Sequence, residues 1–377
     1  MDEVYDEEDF EELILDDDGN FYEEEPVEHM LDDISLQDQN NEEIEEQIID
    51  VSSLTLQKHK KAVFSSALSK DDTLAVTGGE DDIAYLWNTE TGEVIFEFSG
   101  HKDSVTEAHF NFDCQYVATG DMAGMIQVWS IQEKKLVWCY EGDDLEWLKW
   151  HPLTNALFCG CRSGDIYLWQ IPQGNCKVLV AQNNSSTTCG IIVPNGKQIL
   201  AGYEDGTIRL WNIKECSVEW SNNQAESVTN LDINKEGTLA ISAPESRLIK
   251  LSDGKTISIL LPDGEKEVEV ALFNSSLGII ASGSISGHLC VWEIGKQTLR
   301  HQAQIECAVT VMKWGNDGKI FIGAADGAIY VCDVKSGSLL ETLTGHQADI
   351  LSISMFNNSN KILTTSDDGT AKIFTYK

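Results

Sequence analysis

From about residue 51 to its end, this chain is a succession of short apolar runs separated by turn residues. Residues 71–93, DDTLAVTGGEDDIAYLWNTETGE, show the unit. An apolar run at 74–77 is followed by turn residues at 78–82. A second run at 83–87 ends in Trp87, 88–92 turns the chain again, and 93–98 makes a third run. Runs of β-branched and aromatic residues bounded by Gly, Asp and Asn predict strands joined by tight turns. One such hairpin is marginal in water, so its recurrence carries the weight.

The residue that closes the second run recurs as Trp87, Trp129, Trp169, Trp211, Leu251, Trp292, Cys332 and Phe374, at intervals of 42, 40, 42, 40, 41, 40 and 42 residues. Five positions before these anchors stand Asp82, Gly124, Gly164, Gly206, Ser246, Gly287, Gly327 and Gly369. Glycine is the residue a tight turn takes where φ must be positive. A period of about 40–45 residues with four strands per unit is the signature of a β-propeller built from WD-type blades. Eight anchors predict eight blades. The run at 51–57 has no blade of its own, and the last blade stops at its third strand, 371–376. The N-terminal strand is therefore expected to complete the last blade and close the ring, which removes an exposed sheet edge.

Residues 1–50 are a different material, with 23 Asp or Glu and no Lys or Arg, leaving 40 acids against 26 bases in residues 51–377. Such a segment buries too little apolar surface to offset its ordering entropy, so a disordered acidic leader over 1–50 precedes a propeller over 51–377. Its apolar residues (Phe10, Leu13, Ile14, Leu15, Phe21, Tyr22, Ile44, Ile48, Ile49) interleave with acids. It reads either as a solubilising tail or as a flexible polyanion that attracts basic protein segments. Neither reading suits nucleic acid as a direct ligand, because phosphates are repelled. No run of eighteen apolar residues predicts a membrane span, and the acidic start is unlike a secretory signal. The ten cysteines are scattered, mostly in apolar runs, and read as reduced, buried small hydrophobes. Cys159 and Cys161 lack a second pair at zinc-ligand spacing. A cytoplasmic monomer without metal or cofactor is expected, with nuclear entry left open.

WD-type residues recur at fixed places: Gly100-His101 and Gly345-His346 open repeats, and Asp205-Gly206, Asp326-Gly327 and Asp368-Gly369 form turns. In the first blade His59, Thr77, Asp81 and Trp87 resemble the internal hydrogen-bonding set of the WD family, which is structural, with Asp accepting from His and Trp closing the blade. Most other blades lack one or more members, so a uniform network is not expected. The strings LAVTGGEDD (74–82), GHKDSVT (100–106), VATGDM (117–122), DLEWLKWHP (144–152), GYEDGTIRLWN (202–212) and TLRHQ (298–302) resemble the angio-associated migratory cell protein family. That resemblance covers nearly the whole propeller. It implies eight blades, and through the fungal relatives a dedicated chaperone of the large-subunit ribosomal protein L-ten.

In such a ring the turn before the anchor strand and the loop entering the blade share one rim. Seven residues before the anchors this rim receives Glu80, Glu204 and Asp367. Entering loops add Asp144, Glu146, Glu226, Glu267 and Asp349, with Trp147 and Tyr203 among them, and Asp82 and Asp121 lie in adjacent turns. Carboxylates beside aromatics that cover Arg or Lys stems suit charge-assisted binding of a basic, extended peptide. The expected partner is a basic protein segment, such as the N-terminus of a large-subunit ribosomal protein delivered for 60S assembly. The alternative is a general scaffold in signalling, migration or trafficking. Phosphate-loop, nucleophile-elbow and HExxH motifs are absent, and His151, crowded by Trp147, Trp150 and Pro152, reads as a packed strand-to-turn residue. No catalytic residue is assigned.

Overall fold

The computed structural model describes residues 49–182, 184–262, 268–315 and 318–377, so the acidic leader, apart from its last two residues, and Glu267 lie outside the described residues. Among the described residues, 32 strands and no helix form eight four-stranded sheets. In the first blade Val63–Leu68 is innermost, followed by Leu74–Gly79 and Ala84–Asn88, with Val94–Phe98 outermost. The middle strands are buried on both faces by neighbouring blades, whereas outer strands such as Lys135–Glu141 stay largely exposed. That burial explains why the middle strands read as near-continuous apolar runs. Each interface between blades has its own apolar cluster, for example Trp147, Phe158, Ile199 and Tyr203 between the third and fourth.

The ring closes as the sequence implied. Leu54–Leu56 pairs antiparallel with Ala371–Thr375, Leu54 opposite Ile373 and Leu56 opposite Ala371. Asp50 is already part of this closure: its carboxylate pairs with the buried Lys372 ammonium, and the Val51 N–H donates to Thr344 O. On the inner side Ser66 Oγ lies 2.9 Å from Ser352 Oγ, joining the first blade to the eighth.

All eight turn positions five residues before the anchors have positive φ, including the non-glycines Asp82 (64°) and Ser246 (50°). Conformation is half of the reason for glycine there. A Cβ on Gly124 would sit 2.1 Å from Asp143 O, and one on Gly206 2.3 Å from Gln224 O, each a backbone atom of the loop entering the next blade. The turn of one blade thus seats directly on its neighbour.

The polar set of the first blade is present: His59 Nδ1 lies 2.9 Å from Asp81 Oδ1, and Nε2 lies 3.0 Å from Thr77 Oγ1. Trp87 departs from the expectation, because its Nε1 is buried without a hydrogen-bond partner among the described residues and its contribution is packing. Two further sets recur, His101–Thr119–Asp121 and His346–Thr364–Asp368. Each His stands 28 residues and each Thr 10 residues before its anchor. Asp81 and Asp368 stand 6 before theirs but Asp121 stands 8 before, at the end of strand Tyr116–Asp121. That shift hid the second set from the repeat pattern.

Candidate functional site

The rim formed by entering loops and anchor-preceding turns is tied together blade by blade. Glu80 N donates to Ala62 O, Met122 N to Ser104 O, Arg162 N to Asp144 O, Glu204 N to Ser186 O, and Asp367 N to Asp349 O. The carboxylates read from the sequence, Glu267 apart, lie on these loops and turns, but in different states. Asp82, Glu146, Glu204, Glu226 and Asp367 are exposed, and Asp349 is half-buried. Among the described residues, the side chains of Asp82, Glu204, Glu226, Asp349 and Asp367 form no ion pair, whereas Glu146 accepts from Ser186 Oγ at 2.8 Å. Glu80 pairs with Lys61 at 3.2 Å and Asp144 with Arg162 at 3.2 Å, both solvated pairs worth at most about 1 kcal/mol. An incoming guanidinium can exchange for either at little cost.

Three residues expected to meet a partner are instead built into the ring. Asp121 is fully buried, accepting from His101 and from the N–H groups of Lys102 and Met125. Tyr203 is also fully buried; its hydroxyl accepts from Trp211 Nε1, and its ring is covered by this chain's own Arg209 at 4.9 Å. Trp147 is 3% exposed and belongs to the interface between the third and fourth blades. A bulge between Leu145 and Trp147 separates them from the strict alternation of a strand, turning Glu146 out to the rim.

The rim is also less uniformly acidic than the sequence reading implied. The turn position that holds Glu80, Glu204 and Asp367 holds Met122, Arg162, Pro244, Ile285 and Ala325 in the other blades. Acidity is instead densest over the third to fifth blades, where Asp143, Asp144, Glu146, Glu204 and Glu226 lie together on consecutive loops and turns. His151 is a packed residue, with Nδ1 accepting from Leu153 N and Nε2 3.2 Å from Gly196 O. Cys139 and Cys176 are exposed, contrary to their reading as buried hydrophobes.

Ionisation separates the structural carboxylates. Burial works against the charge of Asp121, yet the hydrogen bond from His101 and those from backbone N–H groups hold it below the ordinary value of 3.8. Asp232, on the innermost strand of the fifth blade, is buried deeply enough that its pKa is pushed up to about 6 although it accepts from two backbone N–H groups. The signs oppose one another. Stability due to Asp121 is present above the unfolded value and lost as pH falls through its lowered native value. Stability due to Asp232 is present below 3.8 and lost as pH rises through about 6. Carboxyl-carbon NMR should show Asp232 titrating near pH 6 and Asp121 still ionised at pH 3.8. Coincident midpoints near pH 4 would contradict this assignment.

Comparison with known proteins places the chain. The WD domain, G-beta repeat profile matches residues 51–88, 92–130, 176–212 and 337–375. Human angio-associated migratory cell protein is 36% identical over 348 residues, covering 86% of this chain and 80% of the relative. The chain belongs to the angio-associated migratory cell protein family of WD-repeat propellers. Ribosome assembly protein SQT1 of Saccharomyces cerevisiae is 22% identical, covering 91% of each chain. The crystal structure of Chaetomium thermophilum Sqt1 bound to the N-terminus of the ribosomal protein L10 superposes with a TM-score of 0.79 at 17% identity, covering 87% of this chain and all of that one. That likeness is one of fold.

Proposed function

We propose that this member of the family is a non-enzymatic chaperone that captures the basic N-terminal segment of a large-subunit ribosomal protein on its acidic rim and delivers it for ribosome assembly. The observation that carries the reading is the run of exposed carboxylates Glu146, Glu204 and Glu226 on three consecutive blades. Three adjacent blades offer a track for an extended chain, and carboxylates suit bidentate pairing with arginine. The propeller shared with a protein bound to an L10 N-terminus supports the partner class. Formal charge of −37 adds long-range attraction for a basic segment, so association should be fast and salt-sensitive.

The test is calorimetry of the full chain with an N-terminal peptide of ribosomal protein L10 at two salt concentrations. Joint reversal of Glu146, Glu204 and Glu226 to lysine is expected to weaken binding by about 100-fold or more, since truncating desolvated charge pairs typically costs at least 2 kcal/mol each. Reversal of Asp349 and Asp367 on the eighth blade should weaken it by less than about tenfold, through the long-range field alone. Absence of binding by wild type at low salt, with an intact melting curve, would leave general scaffolding as the working function.

A further inference from the structure

The channel through the ring carries charge that the acidic rim does not explain. Lys149 and Lys313 are each the fifth residue of an innermost strand, Leu145–Trp150 in the third blade and Val309–Trp314 in the seventh. Blades four apart in a ring of eight are opposite. Both lysines line one cavity of about 530 Å³, together with the carboxylates Glu107, Glu146 and Asp232 and with Trp150 and Asn230. Desolvation first, and then the charge of Lys149, lower the pKa of the Lys313 ammonium from its ordinary value, so the two lysines interact across the channel.

The carboxylates of the cavity already have partners in the chain. Glu107 is hydrogen-bonded to His109 Nε2, Glu146 accepts from Ser186 Oγ, and Asp232 accepts from Ile233 N at 2.9 Å and Phe273 N at 2.7 Å. Among the described residues neither Lys149 nor Lys313 makes a side-chain hydrogen bond or an ion pair, although the charges of Glu107 and Asp232 reach them through the cavity. The groups left free to meet a ligand are therefore donors, up to six N–H on opposite walls.

We infer that the channel binds a phosphate-bearing anion between Lys149 and Lys313. A tetrahedral dianion presents oxygens in opposite directions and can satisfy both ammonium groups at once, whereas a carboxylate presents its two oxygens on one side. The cavity is larger than one phosphate ion, so the same chemistry can arrive free or on a phosphorylated side chain. Glu146 borders this cavity as well as the rim, but the probes are anions and the rim's partner is basic, so failure here leaves the rim reading untouched.

Inorganic phosphate and, separately, a phosphoserine peptide would be titrated into the full chain by calorimetry. The expected result is one saturable site per chain for at least one probe, weakened at least tenfold by Lys149→Met and by Lys313→Met and unchanged by Lys61→Met. Binding of phosphate alone identifies the free ion as the source, and binding of the peptide alone a phosphorylated partner. No saturable binding of either probe overturns the inference, as does binding that both methionine variants retain. Should a variant not fold, the carbon shifts next to the two ammonium groups in the wild type decide, because they must move with bound phosphate.

Discussion

Replacing Gly190 by alanine is expected to destabilise the ring by about 3 kcal/mol, although the residue sits in an ordinary strand and alanine fits its backbone. The cause is Trp147. A Cβ on Gly190 would lie 2.4 Å from Trp147 Cζ2 and 2.6 Å from Cε2, and on the other side a Cβ on Gly160 would lie 2.2 Å from Nε1. The indole is therefore wedged between two glycines of adjacent blades, and its rim is rigid ring rather than a side-chain end that can swing away. Either the tryptophan leaves the interface, or the two blades part. Trp147→Ala alone should cost about 3–5 kcal/mol by emptying the slot. In the Trp147→Ala background Gly190→Ala should cost little, because the added methyl then faces a void. Such coupling, of about 1–3 kcal/mol, is the signature of direct contact. Chemical denaturation of the four variants measures it. Strictly additive costs, or a Gly190→Ala protein as stable as wild type, would remove Trp147 from the slot.

Leu56→Asp is expected to open the ring. Leu56 is 3% exposed, opposite Ala371, and packs with Trp87, Phe356, Leu363 and Ile373 across the junction of the first and eighth blades. A carboxylate there has no cationic partner, since the nearby Lys372 ammonium is held by Asp50 and reaches Thr55 Oγ1. The cost of charging a buried leucine site is at least about 3 kcal/mol. The closing strand contributes only three residues to its ladder, so releasing it is cheaper than burying the charge. Release bares the edge of Ala371–Thr375, a strand of five residues whose N–H and C=O groups then invite another chain. A lowered melting temperature together with concentration-dependent association in light scattering is the expected pair of results. A monomer melting within about 2 °C of wild type would mean that the closing strand is dispensable, since 3 kcal/mol should lower the midpoint by more than that.

These two sites mark what repetition can and cannot encode. The repeat of about 40 residues determined the eight blades, the place of each turn and the completion of the last blade by the first strand, because those features depend on local backbone geometry that recurs at fixed offsets. The positive φ at Asp82 and Ser246 shows the strength of that encoding, since the conformation held where the glycine did not. The His and Thr offsets were equally regular, and would have exposed the His101 set had the Asp not been required at one spacing; the His346 set keeps all three offsets and differs only in having Phe374 where Trp87 stands.

The state of individual side chains on the rim was decided elsewhere. Asp121 and Glu146 belong to the same class in the sequence, acids near a turn, yet one is sealed under His101 and the other faces solvent. Trp147 and Tyr203 looked like free aromatics, and the neighbouring blade and Arg209 cover them. Lys149 and Lys313 are 164 residues apart in the chain and meet only because the ring places the third and seventh blades across one channel. Backbone turns answer to a few neighbours in sequence, and so the sequence by itself determined the ring. Burial, pairing and opposed charge answer to neighbours one or four blades away, and only the closed tertiary structure supplies them.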